Sequence, residues 1–283
     1  MLVLVTLLWV DLNRPSLRYI SDPLCFMGFK FDLRIYVLVT SFAPLEAFIY
    51  KEGLARFGTR PYSARPELLG DLRIHLTNTS MYAGDGEGDD VAVDQSHPVY
   101  FAGRKGVGNK VALSWLWGRL GGDPLGGGMD TRDLWQKVID VCRTALEAAG
   151  ADIPHQPNSF EIFGFDVMFD QRLKCWLIEA NSSPSLGCES PLDVSIKGAL
   201  VRDTIALVDP LAYDRRTLAE VCKRRSTRRK LASNVSSTDV LESDLAQILT
   251  KPPRRFGDLP KKMGAYERIL PRSEAKEANK VDV

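Results

Sequence analysis

The chain has 283 residues, of which 45% are hydrophobic and 26% are charged, and its formal net charge at pH 7 is +1. This length is enough for one large or two ordinary domains with a substantial buried core. The near-zero net charge excludes a general attraction to acidic partners, so any such affinity has to come from local clusters of charge. The five cysteines are scattered without a CxxC pair, which indicates reduced thiols rather than a disulfide framework or a zinc site.

The amino-terminal segment MLVLVTLLWV, residues 1–10, is apolar. It is too short to span a bilayer, and it lacks the basic start and the small-residue cleavage site of a signal peptide. A β-strand or an artefact of gene prediction is the favoured interpretation, so no membrane partner is expected.

Strands are predicted next along the chain. Residues 31–42 (FDLRIYVLVTSF) alternate and are rich in β-branched side chains, and residues 45–57 (LEAFIYKEGLARF) are expected to return antiparallel after a turn at Pro44. Residues 71–78 (DLRIHLTN) predict a further short strand with a polar end. Residues 83–90 are rich in Gly and Asp and predict a loop.

Helices and a hairpin follow. Apolar residues at helical spacing predict helices over about 108–120 and 131–149. Two strands, 160–170 and 173–181, are joined by a tight turn and therefore predict an antiparallel hairpin. A last helix is predicted over about 193–208, with Asp193 as its N-cap.

The carboxyl-terminal part of the chain, from about residue 214, is different in character. The stretch CKRRSTRRK, residues 222–230, has six basic residues in nine, and Ser-, Thr- and Asn-rich sequence follows it. This composition predicts a basic, partly disordered extension, in which AYERILP (265–271) is the main apolar patch.

The predicted hairpin carries the clearest chemistry. If its strands are antiparallel, Asp166 lies at about the level of Glu179 and Asn181, which share one strand face. Two carboxylates and a carboxamide form an all-oxygen site of the kind that Mg²⁺ prefers, with water and phosphate oxygens completing its shell. A hairpin with two exposed acids and a terminal Asn is the alternative, and spacing alone leaves both interpretations open.

Further polar residues cluster on other predicted strands. Lys30, Asp32 and Arg34 share one face of a strand whose other face is apolar, and two cations there suit a phosphate or a carboxylate substrate. A solvated strand face is the alternative. Other predicted strands end in the polar residues Arg56, Thr77 and Asn78. Active sites on a rigid scaffold are usually built from polar groups at strand ends in this way.

Six segments in order resemble the tubulin–tyrosine-ligase-like amino-acid ligases: GFKFDLRIYVLVTS, YKEGLARF, HLTNTS, FGFDVMFD, WLIEANSSPSL and SPLDVSIKGALVRD. The resemblance covers about residues 17–208 together with AYERILP, and the SPLDVSIKG block is most similar to the polyglutamylase branch. It implies an α+β, ATP-grasp-like fold with a mostly antiparallel sheet and flanking helices. The expected regions are an atypical segment over 1–16, the carboxyl-terminal part of the catalytic domain over 17–213, and a basic, partly disordered extension over 214–283.

The resemblance also implies roles for individual residues. The expected metal ligands are Asp166, Glu179 and Asn181. The expected ATP contacts are Arg18, Tyr19, Ile20, Lys30, Asp32, Thr77 and Asn78. Arg34 is expected to be catalytic, facing the phosphates or the acyl acceptor. The expected contacts to the carboxylates of a donor glutamate are Arg56, Lys110 and Lys197.

The implied activity is an ATP- and Mg²⁺-dependent ligation of L-glutamate to glutamate side chains in the acidic tails of tubulin, through an acyl phosphate. The implied location is the cytoplasm, at microtubules, with cilia and basal bodies included. A tubulin glycine ligase is the first alternative, and a non-catalytic microtubule-binding module that uses the basic run 223–230 is the second. Nucleic acid is not an expected partner, because no aromatic stacking platform accompanies the basic residues.

The chain also departs from the family pattern. Leu17 stands where the family usually has Gln, and no lysine follows HLTNTS in the usual place. The fold is expected to be incomplete at its amino end, because the lobe that supplies a glycine-rich loop over the phosphates has no counterpart before residue 17. An incomplete gene model is favoured over a short isoform or a degenerate pseudoenzyme, and the 283-residue chain by itself is expected not to turn over.

Overall fold

The computed structural model describes residues 19–78, 93, 95–103, 108–122, 128–150, 152–154, 159–229, 244, 247–249 and 254–272. The chain divides into two compact units, one formed by residues 1–204 with 263–283 and the other by residues 205–262. The predicted loop at 83–90, the apolar segment 1–10 and Arg18 lie outside the described residues.

The first unit is built on an antiparallel sheet. Its strands are β1 (Cys25–Phe26), β2 (Phe29–Phe42), β3 (Leu45–Phe57), β4 (Lys110–Ala112), β5 (Glu161–Phe169), β6 (Cys175–Asn181) and β7 (Tyr266–Leu270). The central order is β4-β3-β2-β5-β6, while β1 pairs with β2 and β7 pairs with β3. Every pairing is antiparallel, which confirms the predicted strands of β2, β3 and the hairpin β5–β6.

The helices are α1 (Leu72–His75), α2 (Pro98–Phe101), α3 (Leu113–Gly122), α4 (Thr131–Gly150), α5 (Pro191–Val208) and α6 (Arg215–Arg229). The prediction of α4 is confirmed. Helix α5 begins two residues earlier than predicted, because Ser190 caps it: the Ser190 Oγ accepts a hydrogen bond from the Asp193 N–H at 3.2 Å. Asp193 therefore lies inside the first turn.

The hydrophobic core covers one face of the sheet. Alternate residues of β2, among them Phe31, Leu33 and Ile35, are buried in a cluster with side chains of α3 and α4. The intervening positions of β2 point to the opposite face, since successive side chains of a strand alternate. The mixed α+β fold thus packs α3 and α4 on one sheet face, while the other face carries polar side chains and, through Tyr50, contacts Asp203 of α5.

Two predictions about local structure are wrong. Residues 71–78 do not form a strand, because the Asp71 side chain accepts a hydrogen bond from the Arg73 N–H and starts the short helix α1. Residues 108–120 are not one helix, because residues 110–112 pair with the edge of β3 as strand β4 before α3 starts. In both places a local cap or a long-range strand pairing outweighs the sequence pattern.

Two parts of the region after residue 214 form regular structure. Residues 215–229 form helix α6, and β7 pairs with β3 with Tyr266, Ile269 and Leu270 buried. The expectation that AYERILP offers apolar anchors is therefore confirmed. Among the helices that the structure describes, none is long and apolar enough to cross a membrane.

Candidate active site

The polar face of the sheet brings most of the predicted site residues together. Lys30, Asp32 and Arg34 alternate along β2, opposite to the core face. Their cross-strand neighbours extend the same face. Paired at the Cα level are Asp32 with Arg56, Arg34 with Asp166, Asp166 with Glu179, and Arg56 with Lys110.

Asp166 is the centre of a buried ionic network. Its side chain is 2% exposed, and Arg34 donates to its two carboxylate oxygens at 2.5 and 2.9 Å. Arg56 Nη2 lies 2.8 Å from Asp166 Oδ2. Burial alone would raise the pKa of Asp166, but the hydrogen bonds and charges of the two arginines outweigh it and hold that pKa below its ordinary value.

Arg56 joins two carboxylates. Besides Asp166 it binds Asp32 in a bidentate manner, with 2.9 Å between Arg56 Nε and Asp32 Oδ1 and a shorter contact from Nη2 to Oδ2. Burial opposes the charge of Arg56, yet Asp32 and Asp166 together raise the pKa of its guanidinium. The guanidinium is therefore fixed in place before any substrate arrives.

The predicted metal ligands lie on two adjacent strands. Glu179 is the cross-strand neighbour of Asp166, and the Asn181 Nδ2 donates to the Glu179 Oε1 at 3.0 Å. The hydrogen bond with Asp166, assisted by partial burial, raises the pKa of Glu179. Two carboxylates and a carboxamide are hard oxygen donors whose mutual repulsion a divalent cation relieves, so these residues fit Mg²⁺.

A β-bulge on β6 directs these ligands. Val167 pairs with Leu177, but Asp166 pairs with Glu179, so Ile178 is an extra residue in the strand. Leu177 and Ala180, three residues apart, both pack on the core. The bulge therefore keeps Glu179 and Asn181 on the face of Asp166, which strict alternation from Leu177 would not do.

A second cluster lies at the other end of β2. Lys30 donates to the backbone carbonyl of His75 at 2.7 Å and lies 3.5 Å from the Tyr19 hydroxyl. The Tyr19 hydroxyl is 2.8 Å from His75 Nδ1, while His75 Nε2 is 3.1 Å from the Leu68 carbonyl. An N–H at Nε2 can donate to that carbonyl, and in the same neutral tautomer Nδ1 accepts from the Tyr19 hydroxyl. Burial lowers the pKa of Lys30.

The remaining predicted ATP contacts are close to this cluster along the chain. Ile20 is half-buried, and Thr77 and Asn78 follow α1 without regular secondary structure. The Asn109 Nδ2 donates to the carbonyls of Phe57 and Thr77, at 2.6 and 2.7 Å, and so ties the segment after α1 to the end of β3.

The predicted donor-binding residues come from three elements, β3, β4 and α5. Lys197 on α5 donates to the Gly187 carbonyl at 2.5 Å and lies 2.8 Å from Asp193 Oδ1. Lys110 lies on β4 opposite Arg56, and its charge contributes to lowering the pKa of Asp193. Lys110 is thus the cross-strand neighbour of Arg56, and its charge acts on the carboxylate that Lys197 contacts.

Sequence reasoning missed four residues of this site. Ile178, which is 50% exposed, presents apolar surface beside the carboxylates, and no local pattern marks a bulge. His75 and Asn109 act through contacts with residues far along the chain. Asp193 had a signal that was misread, since Ser190 and Asp193 form the S-x-x-D pattern of a capping box.

Residues 17–219 match the model of the tubulin-tyrosine ligase family. The chain belongs to this family. The match covers the whole polar face described above, and it confirms the resemblance that the six sequence segments indicate. Membership also agrees with the antiparallel sheet and its flanking helices.

Curated relatives with glutamylase names are similar to the chain. Human tubulin polyglutamylase TTLL5 is 38% identical over 205 residues, which is 70% of this chain and 15% of that protein. Mouse tubulin polyglutamylase TTLL13 is 33% identical over 272 residues, 90% of this chain and 31% of that protein. Human tubulin monoglutamylase TTLL4 is 37% identical over 209 residues, which is 69% of this chain and 16% of that protein. The match therefore spans less than a third of the length of each of these relatives.

Proposed function

We propose that the chain takes part in the ATP-dependent ligation of glutamate to glutamate side chains of tubulin. The observation that carries this proposal is the position of Asp166 between the Arg34–Arg56 pair on one side and Glu179 with Asn181 on the other. Cationic groups and oxygen ligands for a cation lie side by side there. This combination suits a reaction in which an anionic carboxylate has to approach a triphosphate.

Mg²⁺, when held by Asp166, Glu179 and Asn181, would neutralise phosphate charge and orient the triphosphate. Arg34 and Arg56 each reach Asp166 from the same face of the sheet, so they border the place where the phosphates would lie. Among the described residues no three His, Cys, Asp or Glu side chains cluster as a metal site. Because Mg²⁺ prefers octahedral coordination by six oxygens, two carboxylates and a carboxamide would leave positions for phosphate oxygens and water.

The reaction has two steps in this proposal. The acceptor carboxylate attacks the γ-phosphorus of ATP, ADP leaves, and an acyl phosphate forms. The amine of the donor then attacks the acyl carbon, loses a proton, and inorganic phosphate leaves as the isopeptide bond forms. We assign Arg34 to the developing negative charge of the first step, and Arg56, Lys110 and Lys197 to the carboxylates of the donor.

The other residues of the polar face would bind the nucleotide. Lys30 and Tyr19 already form a fixed pair through His75, with the Lys30 ammonium 4.9 Å from the centre of the Tyr19 ring. We assign this pair, with Ile20, to the base end of ATP. Asp32 contributes by fixing Arg56, and we assign Thr77 and Asn78 to the same nucleotide, since Asn109 ties the Thr77 carbonyl to the end of β3.

The test compares Glu179→Gln with Glu189→Gln, an exposed carboxylate on the same stretch of chain. Binding of ATP is titrated with and without Mg²⁺, and incorporation of labelled glutamate into tubulin is measured in parallel. We expect Glu179→Gln to lose the Mg²⁺ dependence and Glu189→Gln to keep it. An unchanged Mg²⁺ dependence in Glu179→Gln would overturn the proposed metal site.

A glycine ligase is the second enzymatic candidate. A donor glutamate has a side-chain carboxylate that needs a cation, and glycine has none. The convergence of Lys110 and Lys197 around Asp193 favours the larger donor. Competition between labelled glutamate and glycine for binding to the chain, with Mg²⁺ and a non-hydrolysable ATP analogue present, decides between them, and a preference for glycine would contradict the glutamate proposal.

Microtubule binding without catalysis is the third candidate, and unit 205–262 favours it. This unit has thirteen Lys and Arg against seven Asp and Glu, and the rest of the chain has 24 against 29. On α6, Arg224 and Arg225 are exposed even though both lie near Asp244. We assign this unit to an acidic partner such as the tubulin tails, bound through long-range electrostatics.

A further inference from the structure

Asp193 is a fully buried carboxylate in the first turn of α5, with 0% of its surface exposed. The Ser190 hydroxyl donates to Asp193 Oδ2 at 2.7 Å, and the Asp193 N–H donates back to Ser190 Oγ at 3.2 Å. The other carboxylate oxygen, Oδ1, faces Lys197 Nζ at 2.8 Å. The cap of the helix and the lysine one turn later are therefore linked through a single carboxylate.

The contact between Asp193 and Lys197 is an ion pair. Asp193 Oδ1 has no aligned hydrogen bond, whereas the Lys197 ammonium donates an aligned one to the Gly187 carbonyl at 2.5 Å. Burial alone would raise the pKa of Asp193, but Lys197, Ser190 and the charge of Lys110 together lower it. Asp193 is thus the anion paired with Lys197, and the charge of Lys110 acts on it as well.

We propose that Asp193 is a positioning residue for the donor amino acid, because it holds the Lys197 ammonium in the orientation that receives a donor carboxylate. The inference rests on the proposed function and deepens it. A lysine side chain has four rotatable methylene groups, and a buried ammonium without an anion turns toward water or loses its charge. Fixing the ammonium before the donor binds removes this ordering cost from the binding step.

A second carboxylate of α5 supplies the matched control. Asp203 Oδ2 accepts hydrogen bonds from the Tyr50 hydroxyl and the Ala265 N–H, each at 3.0 Å. These donors are neutral groups of β3 and of the segment before β7. Asp203 therefore stabilises the same helix by a comparable number of contacts, but it does so away from Lys197.

The experiment measures the affinity for L-glutamate by NMR titration, with Mg²⁺ and a non-hydrolysable ATP analogue present, in the wild-type chain, Asp193→Asn and Asp203→Asn. We expect Asp193→Asn to weaken glutamate binding about tenfold, since a charged partner of a binding group is lost, and to leave nucleotide affinity unchanged. Asp203→Asn is expected to lower the thermal unfolding temperature and to change both affinities less than about twofold, because its site is distant.

Ser190→Ala is the second variant, for use if Asp193→Asn does not fold. It removes the hydrogen bond that orients the Asp193 carboxylate but keeps every charge, so we expect glutamate binding to weaken about threefold. If the folded variants bind glutamate with wild-type affinity, the positioning role of Asp193 is overturned, while the donor-site assignment is unaffected. A wild-type chain that binds the nucleotide but not glutamate overturns the donor-site assignment, and the inference with it.

Discussion

The two units of the chain use charge in opposite ways. In the sheet unit, Arg56 and Asp166 are buried and linked by ionic contacts to Asp32 and Arg34. In unit 205–262, Arg224 and Arg225 are 54% and 44% exposed. Charged residues therefore act differently in the two units. The energy of a buried charge depends on its particular partner. An exposed charge acts mainly through the summed electrostatic field of the surface.

The two units are therefore expected to differ in how strongly the loss of a single charge affects them. Removing one member of the buried network leaves another charge without compensation in a site shielded from water. Removing one exposed arginine costs little, since water and salt screen it. Single substitutions are therefore expected to lower the stability of the sheet unit, whereas unit 205–262 is expected to lose its attraction for an acidic partner only when several charges are removed together.

The largest expected effect is that of Arg56→Ala. This change leaves the buried carboxylates of Asp32 and Asp166 without a shared cation, and we expect the free energy of unfolding to fall by about 3–5 kcal/mol. The matched change in unit 205–262 is Arg225→Ala. It is expected to lower the free energy of unfolding by about 0–1 kcal/mol, because the salt bridge of Arg225 is exposed. Urea unfolding of both variants measures the contrast, and equal losses would contradict it.

The next effect is expected for Gly264→Ala. Gly264 has φ +54°, and an added Cβ would lie 2.1–2.5 Å from the Asp203 carboxylate atoms. We expect a loss of about 2–4 kcal/mol from backbone strain and overpacking together. Gly257, with φ +89° and no atom near its Cβ position, is the control in the other unit. Gly257→Ala is expected to cost only about 1–2 kcal/mol from strain, and thermal unfolding compares the two.

Glu179→Gln is expected to raise the free energy of unfolding slightly, whereas the two preceding changes lower it. The folded pKa of Glu179 is raised, so its contribution to stability is present below its unfolded pKa and is lost as pH rises through the folded value. At pH 7 without Mg²⁺ the variant should be more stable than the wild type. Because Glu179 is exposed, solvent screening keeps the gain under about 1 kcal/mol.

The pH profile tests this sign. The gain of Glu179→Gln should shrink as pH falls toward the ordinary glutamate range, since the wild-type side chain then becomes protonated as well. Unfolding measured between neutral and acidic pH in EDTA follows the change. A variant that is less stable than the wild type at pH 7 would mean that the Asp166–Glu179 contact stabilises the protein.

The smallest effect on stability is expected when Arg224, Arg225, Arg228 and Arg229 are changed to Ser. We expect the free energy of unfolding to change by less than about 1 kcal/mol, because the arginines belong to a run of basic residues in which Arg224 and Arg225 are exposed. Cosedimentation with microtubules should nevertheless weaken steeply with salt in the wild type and be lost in the variant. Binding that is independent of salt would contradict an electrostatic role for unit 205–262.

The sequence predicts those parts of the site that depend on residues close together in the chain, and not those that depend on residues far apart in it. Lys30, Asp32 and Arg34 were placed on one face correctly, because strand alternation is a local rule. Their pairing with Arg56 and Asp166 could not be predicted, since register depends on contacts between strands far apart in sequence. The α1 turn was missed because the Asp71 cap competed with a strand pattern.

The sequence by itself determined the family, the strands β2, β3, β5 and β6, and the residue types of the site. Only the tertiary structure decided how Glu179 comes to face Asp166. A regular hairpin in the register of Val167 and Leu177 would place Ile178 there, and the bulge shifts the partner by one residue. The physical reason is that Leu177 and Ala180 both bury their side chains in the core, and that packing is a property of the assembled sheet rather than of any local segment.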